Sequence, residues 1–266
     1  MLAEMEIAPR IVTRQDFVAS LVDTSKLGIE IAPYFNPMIS KDKYDVWYVD
    51  CIDNDEIQSK AKQNPGGVGK SVPRVDSVWV PGKKLKDCVK GQTFQYAIAS
   101  HVFEHVPNPI GWLSEIVDCL VEGGKLVLLI PDRRFTMDYY RRETTFADVL
   151  GWYVEKPSIP TPSQVVDFLS QAFYDIGEVD FNKPMLPFSE AKRHYSDVDA
   201  INFAKMTKER NHYLDVHCTV WTPTNFFEVF ERVSKMNLLE VEISEPVAGF
   251  QGSSPAEFLV SMTKRG

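Results

Sequence analysis

Two apolar runs bracket one amphipathic segment near the middle of the chain. The runs are AIAS at 97–100 and KLVLLIPD at 125–132. An apolar run bounded by turn signals predicts a strand buried on both faces. Between the runs, Trp112, Leu113, Ile116, Val117 and Leu120 recur at helical spacing. Asn108-Pro109 opens that helix, because proline fits a first helical turn, and Gly123-Gly124 is expected to cap its end. The segment therefore predicts a β-α-β unit with strands at 96–100 and 125–131.

Similar patterning predicts the flanking elements. A short helix over 14–25 leads into KLGIEIA at 26–32, a first strand ended by Pro33. KYDVWYVD at 43–50 is rich in β-branched and aromatic residues and predicts a second strand. A polar helix over 53–62 follows, then the loop NPGGVG at 64–69, then a third strand at 74–80 closed by Pro81-Gly82. After residue 132 the alternation stops. Residues 133–220 are rich in Pro and aromatics and predict a mostly helical insert. Regular patterning returns with a helix over 222–236, N-capped by Thr222 with Pro223 in its first turn. Strands at 238–244 and 257–263 close the chain as an antiparallel pair. The expected fold is α/β, with five parallel strands plus a C-terminal antiparallel pair in one domain over 1–266.

Bulk properties narrow the function. The net charge is −8, which argues against the broad basic footprint that nucleic acid needs. No apolar run approaches the roughly 18 residues of a membrane span. The first residues carry acids and lack a signal-peptide core, so a cytoplasmic location is expected. Cys51, Cys88, Cys119 and Cys218 are widely spaced and fit no zinc pattern, so free thiols are expected.

Candidate chemistry gathers past the strand ends. Ser100, His101, Glu104 and His105 follow one apolar run, and Asp132, Arg133 and Arg134 follow the other. In an open parallel sheet that edge is where ligands bind. The absence of G-x-G-x-x-G counts against a nicotinamide dinucleotide.

Three segments, GIEIAP at 28–33, VWYVD at 46–50 and the block 99–132, resemble class I S-adenosylmethionine-dependent methyltransferases with their Rossmann-like seven-stranded sheet. The likeness extends to bacterial methyltransferase-like domains of polysaccharide biosynthesis, which carry segments similar to PDRRFTMDYYRRETT and DVHCTVWTPTNFFEVF. The resemblance implies that S-adenosylmethionine is the cofactor. Gly28, Glu30, Ala32 and Pro33 would form the turn that cradles its methionine part, with a helix beginning nearby. Asp50 would accept hydrogen bonds from the ribose hydroxyls. Gly82 and Leu85 would flank the adenine, and Ser100 and His101 would face the transferred methyl group. Two positions depart from the family pattern: Ala32 stands where glycine is usual, and Pro81 replaces an acid.

Methyl transfer to a neutral alcohol needs an aligned acceptor and a base. His101 is the first candidate base, a role that suits an imidazole. His105 lies one helical turn further on, and Asp132 is a further candidate. Alternation puts Asp215 and His217 on one face, so His217 is either a carboxylate-held base or a structural histidine. A metal held by His101, His105 and Asp132, or by Asp215 and His217, has no recognised ligand spacing behind it, and none is expected. Arg133, Arg134, Arg141 and Arg142 either recognise a phosphate or carboxylate, or form a solvated face paired with Asp138, Glu143 and Asp148. Arg133, Arg134 and Arg141 are the substrate-binding candidates. Aromatic residues over 150–213 belong mostly to the insert core, with a few available to stack on an acceptor ring. The expected activity is O-methylation of a sugar or a related small polar glycan acceptor, with residues 133–220 forming the acceptor side. The alternative is a non-catalytic methyltransferase-like module in an assembly complex.

Overall fold

Glycine at position 28 lets the sheet centre close. A Cβ there would lie 2.0 Å from the ring of Tyr96 on the neighbouring strand. The computed structural model describes residues 13–63, 72–173 and 185–266. Its sheet contains β1 (Gly28–Ile31), β2 (Val46–Asp50), β3 (Ser77–Val78), β4 (Phe94–Ser100), β5 (Leu120–Pro131), β6 (Val241–Ile243), β7 (Val247–Ala248) and β8 (Glu257–Lys264). The order is β3-β2-β1-β4-β5-β8-β6, with β7 paired to β8. The first five strands run parallel, and β8 is antiparallel to β5, β6 and β7. The expected architecture holds. The eighth strand is the two-residue β7, which comes from the loop expected to join the last pair.

Alternation divides the core into two layers. Ile29, Ile31, Val49, Ala97, Leu126 and Leu128 face α3 (Leu85–Cys88), α4 (Pro109–Asp118), α5 (Phe146–Glu155) and α8 (Pro223–Lys235). On the other face, Tyr48, Tyr96, Ile98, Val127 and Leu129 meet α1 (Arg14–Ser20), α2 (Asn54–Gln63) and the loop residues Met38 and Ile39. The insert is helical, as expected, but it splits. Helix α5 joins the main core through Val149, whereas α6 (Pro162–Gln171) and α7 (Asp197–Arg210) bury Val165, Phe168, Ala200 and Ala204 in a separate cluster with Val216 and Cys218.

Two local expectations are corrected. Gly123-Gly124 does not cap α4. That helix ends at Asp118 with Cys119 as its C-cap, and Phe94 N already donates to Cys119 O at 2.9 Å. Strand pairing therefore starts at Leu120, and the glycines sit inside β5 beside a register shift, with Gly123 at φ +70°. Nor does a helix follow β1. Ala32 and Tyr34 take left-handed φ values of 50° and 45°, and Pro33 and Pro37 oppose helical continuation. Residues 32–45 form a loop instead. The expected loop at 64–69 lies outside the described residues, as do Tyr174 and Phe181. Among the described residues no helix is long and apolar enough to cross a membrane.

Candidate active site

Strand register sets the rim. Ile31 pairs with Val49 on β2 and with Ala99 on β4. The next residues, Ala32, Asp50 and Ser100, therefore form one row at the C-terminal edge. His101 follows, with its N–H donating to Leu129 O on β5 at 2.9 Å.

At the tip of β4, His101 adopts φ 55°. A left-handed non-glycine residue costs about 1–2 kcal/mol, so the surroundings must hold it. Glu257, the first residue of β8, does so: its Oε2 lies 2.9 Å from His101 Nε2. Arg14 of α1 donates from Nη2 to the same Oε2 at 2.6 Å and to Ser100 Oγ at 2.8 Å. Burial pushes the Glu257 carboxyl upward, but His101 and Arg14 outweigh it and hold its pKa below the ordinary value. The His101 side chain remains 44% exposed.

Glu104 joins two of the expected histidines. Its side chain is buried, and Oε1 lies 3.8 Å from His101 Nδ1 and 3.7 Å from His105 Nε2. Residues 103–105 form a 3₁₀ turn, so His101 and His105 are related through this carboxylate and not by one α-helical face. His105 Nδ1 lies 2.8 Å from Asp215 Oδ1, off the hydrogen-bond direction. Burial lowers the His105 pKa, yet the nearby carboxylates of Asp215, Glu104 and Asp138 outweigh it and raise the net value. The His105 and His217 rings meet edge to face at 4.7 Å.

Asp138, and not Asp215, holds His217. Its Oδ2 lies 2.6 Å from His217 Nδ1, and its Oδ1 accepts from Arg141 Nη1 at 2.7 Å. Burial alone would raise the Asp138 pKa, but the charges of His217 and Arg141 drive it far down. The strap at 215–220 is fastened to the β4 tip, because Cys218 N and Thr219 N both donate to Glu104 O.

Several expected roles change in this geometry. Gly28 lies at the start of β1, away from the rim, and serves the packing of Tyr96. The Glu30 carboxylate is fully buried and accepts from Met38 N at 2.7 Å and Ile39 N at 3.0 Å, so both oxygens are engaged by the loop. Burial pushes its pKa up to about 7. Leu85 is completely buried under α4 and cannot flank a ring at the rim. Asp132 is buried and holds the Arg134 side chain at 2.6 Å, which removes it as a free base. Arg141 is also fully buried, donating to Asp138, to Asp167 at 2.6 Å and to His217 O at 2.8 Å. It organises the insert and is closed to a substrate anion. Arg142 pairs with Asp148 at 2.8 Å, the solvated-face reading. Arg133 donates to Tyr139 O at 2.6 Å.

Other expected residues stay at the rim. Ala32 takes the left-handed turn conformation, with Pro33 after it, and Gly82 turns at φ 85° on an exposed loop. Asp50 is buried, and its Oδ1 accepts a long 3.3 Å contact from Ile52 N beside the neighbouring Cys51. Burial raises its pKa. Trp79 N donates to Asp50 O at 2.8 Å, and the Trp79 indole Nε1 donates to Lys83 O at 2.8 Å. That ring stacks on Trp112 at 6.0 Å. A buried carboxylate at the tip of β2, in the same row as Ala32 and Ser100, is of a kind that suits ribose hydroxyls of the expected cofactor.

Sequence reasoning missed Arg14, Trp79, Glu257 and the bridging role of Glu104. Arg14 lies 87 residues before His101 and Glu257 lies 156 after it, and no local pattern marks them. Glu104 stands between the two histidines in SHVFEH, and its spacing to both was the available signal.

A methyltransferase-domain family model matches residues 7–176. With this sheet order and rim, the chain belongs to that methyltransferase family, whose methyl donor is S-adenosylmethionine. No curated protein matches the chain. Among solved structures, the chain is similar to the CcbJ methyltransferase from Streptomyces caelestis, with 14% identity over 95% of this chain and 88% of that one, at a TM-score of 0.46. The plantazolicin methyltransferase BpumL, solved with SAH, gives 8% identity over 95% and 80%, also at a TM-score of 0.46. The CurJ carbon methyltransferase gives 10% identity and a TM-score of 0.42 over 91% of this chain, which spans 49% of that structure.

Proposed function

We propose that this methyltransferase acts on a hydroxyl of a small polar acceptor, a sugar or related glycan unit, with His101 as the base. The carrying observation is the 2.9 Å contact between His101 Nε2 and Glu257 Oε2 at the tip of β4. A carboxylate on one ring nitrogen fixes the tautomer with the proton on Nε2 and leaves Nδ1 to accept a proton. Glu104 lies 3.8 Å from Nδ1, too far for a hydrogen bond, so that nitrogen is available.

S-adenosylmethionine supplies an electrophilic methyl group when bound. Asp50 holds the ribose, and Trp79 offers its face to the adenine. Glu30 acts indirectly by fixing the loop after β1 through Met38 and Ile39. Residues 133–220 form the acceptor side. Their cleft of about 260 Å³ is lined by Arg142, Trp152, Ser163, Asp167 and Val220 among others. Polar and aromatic groups of this kind suit a sugar ring and its hydroxyls. The polysaccharide-assembly setting belongs to this same reading and rests on the sequence resemblance, and a cytoplasmic location belongs to it too, resting on the acidic first residues and the lack of a long apolar run.

The test is transfer of a labelled methyl group to a panel of sugars and nucleotide sugars, read by mass spectrometry. His101→Ala should cut turnover by about 10²–10⁴-fold. Turnover near wild type in that variant removes His101 from the mechanism.

A second reading is supported by the engagement of both Glu30 oxygens and by the loop that replaces the helix after β1. It is a non-catalytic methyltransferase-like module. Calorimetric titration with S-adenosylhomocysteine separates the two. Micromolar binding supports the enzyme, and no binding at millimolar concentration supports the module.

A further inference from the structure

We infer that Glu104, His105 and His217 form a binding site for one divalent transition-metal ion. One donor atom from each of these residues lies within 4.8 Å of the others. The residues come from two segments brought together by the fold: the 3₁₀ turn after β4 and the strap at 215–220. The strap is locked in place by Cys218 N and Thr219 N on Glu104 O.

Three independent features point to a cation. Glu104 is 3% exposed at its side chain, yet its Oε2 is buried with no hydrogen-bond partner. A buried carboxylate short of donors is costly, and an ion held by this carboxylate, whose Oε1 lies 3.7 Å from His105 Nε2, would offset that cost. His217 also carries a buried carboxylate at Nδ1, Asp138 at 2.6 Å, and Asp215 lies 2.8 Å from His105 Nδ1 outside hydrogen-bond alignment. The Asp138 contact is the arrangement by which proteins orient a metal-binding imidazole, and it leaves His217 Nε2 as the ligand, while His105 Nε2 faces Glu104 Oε1 at 3.7 Å. Finally, the rings are neither fully buried nor widely open, at 28% exposed for the His105 side chain and 12% for His217, so an ion can enter.

Donor chemistry selects the ion. Two imidazoles and one carboxylate suit Zn²⁺, Co²⁺ or Fe²⁺, whereas Mg²⁺ and Ca²⁺ prefer all-oxygen shells. Bonds of about 2.1 Å in a tetrahedral shell put donors about 3.4 Å apart, so the three groups draw together on binding. Three protein ligands leave a coordination position for water or for an oxygen of a bound molecule. Periodicity could not reveal the site, because His217 lies more than a hundred residues from His105 and His101 is not a ligand.

The inference does not rest on methyl transfer, and its test needs none. Chelator-stripped protein is equilibrated with Co²⁺ or Zn²⁺ and desalted, and metal is counted by elemental analysis. We expect one ion per chain, and for Co²⁺ the intense visible absorption of a four- or five-coordinate site. Glu104→Gln and His217→Gln should each weaken Zn²⁺ binding at least tenfold while the metal-free protein keeps its circular dichroism. Should either variant fail to fold, the wild type alone decides. Wild-type protein that retains no stoichiometric ion, or that gives a weak octahedral Co²⁺ spectrum, overturns the site. Undiminished binding in folded Glu104→Gln protein overturns it as well.

Discussion

Glu257 Oε2 receives His101 Nε2 at 2.9 Å and Arg14 Nη2 at 2.6 Å, so one carboxylate ties the tip of β4 to the start of β8 and to α1. The contact exists because β8 runs antiparallel beside β5, bringing Glu257 opposite Pro131 at the same rim. Glu257→Gln should lower kcat by about tenfold or more with KM little changed, because orientation of the base is lost and acceptor binding is not. Its pKa lies below the ordinary 4.5, so its stabilisation is present above that value and is lost as pH falls through the lower folded value. Melting curves should separate wild type from Glu257→Gln at neutral pH and converge in acid. An unchanged kcat removes Glu257 as a positioning residue.

Asp50 presents a buried carboxylate at the end of β2. Its replacement by Ala should weaken S-adenosylhomocysteine binding by about 1–3 kcal/mol, the scale of lost charge-assisted hydrogen bonds. Isothermal titration on folded protein gives the answer, and an unchanged Kd would place the ribose elsewhere.

Glu30 provides the opposite pH signature to Glu257. Burial raises its pKa from 4.5 to about 7. The folded state then binds more protons than the unfolded chain between those values, and this contribution is full below 4.5 and lost as pH rises through about 7. Glu30→Gln removes it, at a scale of about 3 kcal/mol. Urea unfolding from pH 5 to 8 should show a smaller loss of stability in wild type than in the variant only if this account is wrong; the expected result is a steeper loss in wild type.

Arg141 and Arg134 separate a structural arginine from a surface one. Arg141→Leu leaves the buried Asp138 and the partly exposed Asp167 short of a partner and should cost about 3–5 kcal/mol in urea unfolding. Arg134 is 52% exposed at its side chain and its buried partner Asp132 keeps the Arg134 backbone N–H, so Arg134→Ala should cost about 1–2 kcal/mol, less than Arg141→Leu. Equal effects would contradict the assignment.

Gly28 tests the corrected role at the start of β1. Gly28→Ala drives a methyl group into the Tyr96 ring and should destabilise by about 1–3 kcal/mol through overpacking. Weakened cofactor affinity without a change in melting temperature would restore the original expectation.

The chain order of the elements was legible because it rests on local periodicity. KLVLLIPD reads as a buried strand and Thr222-Pro223 as a helix start whatever surrounds them, and both hold. Gly123-Gly124 misled because a glycine pair marks both helix caps and bulges, and only the pairing of Phe94 with Leu120 distinguishes them. Likewise GIEIAP located the turn after β1, and Ala32 does adopt the left-handed conformation there. What happens to Glu30 depends on the amides of Met38 and Ile39, which the loop delivers from eight and nine residues away.

By itself the sequence determined the alternation of strands and helices, the rim on which Asp50, Ser100 and His101 stand, and the methyltransferase resemblance. These follow from side-chain periodicity and from short motifs, which are properties of neighbouring residues. Tertiary structure decided the partners: Glu257 and Arg14 for His101, Asp138 for His217, Glu104 between the histidines, and the burial of Arg141 and Leu85. A charge is free or spent according to what lies within about 3 Å of it, and those neighbours come from distant parts of the chain.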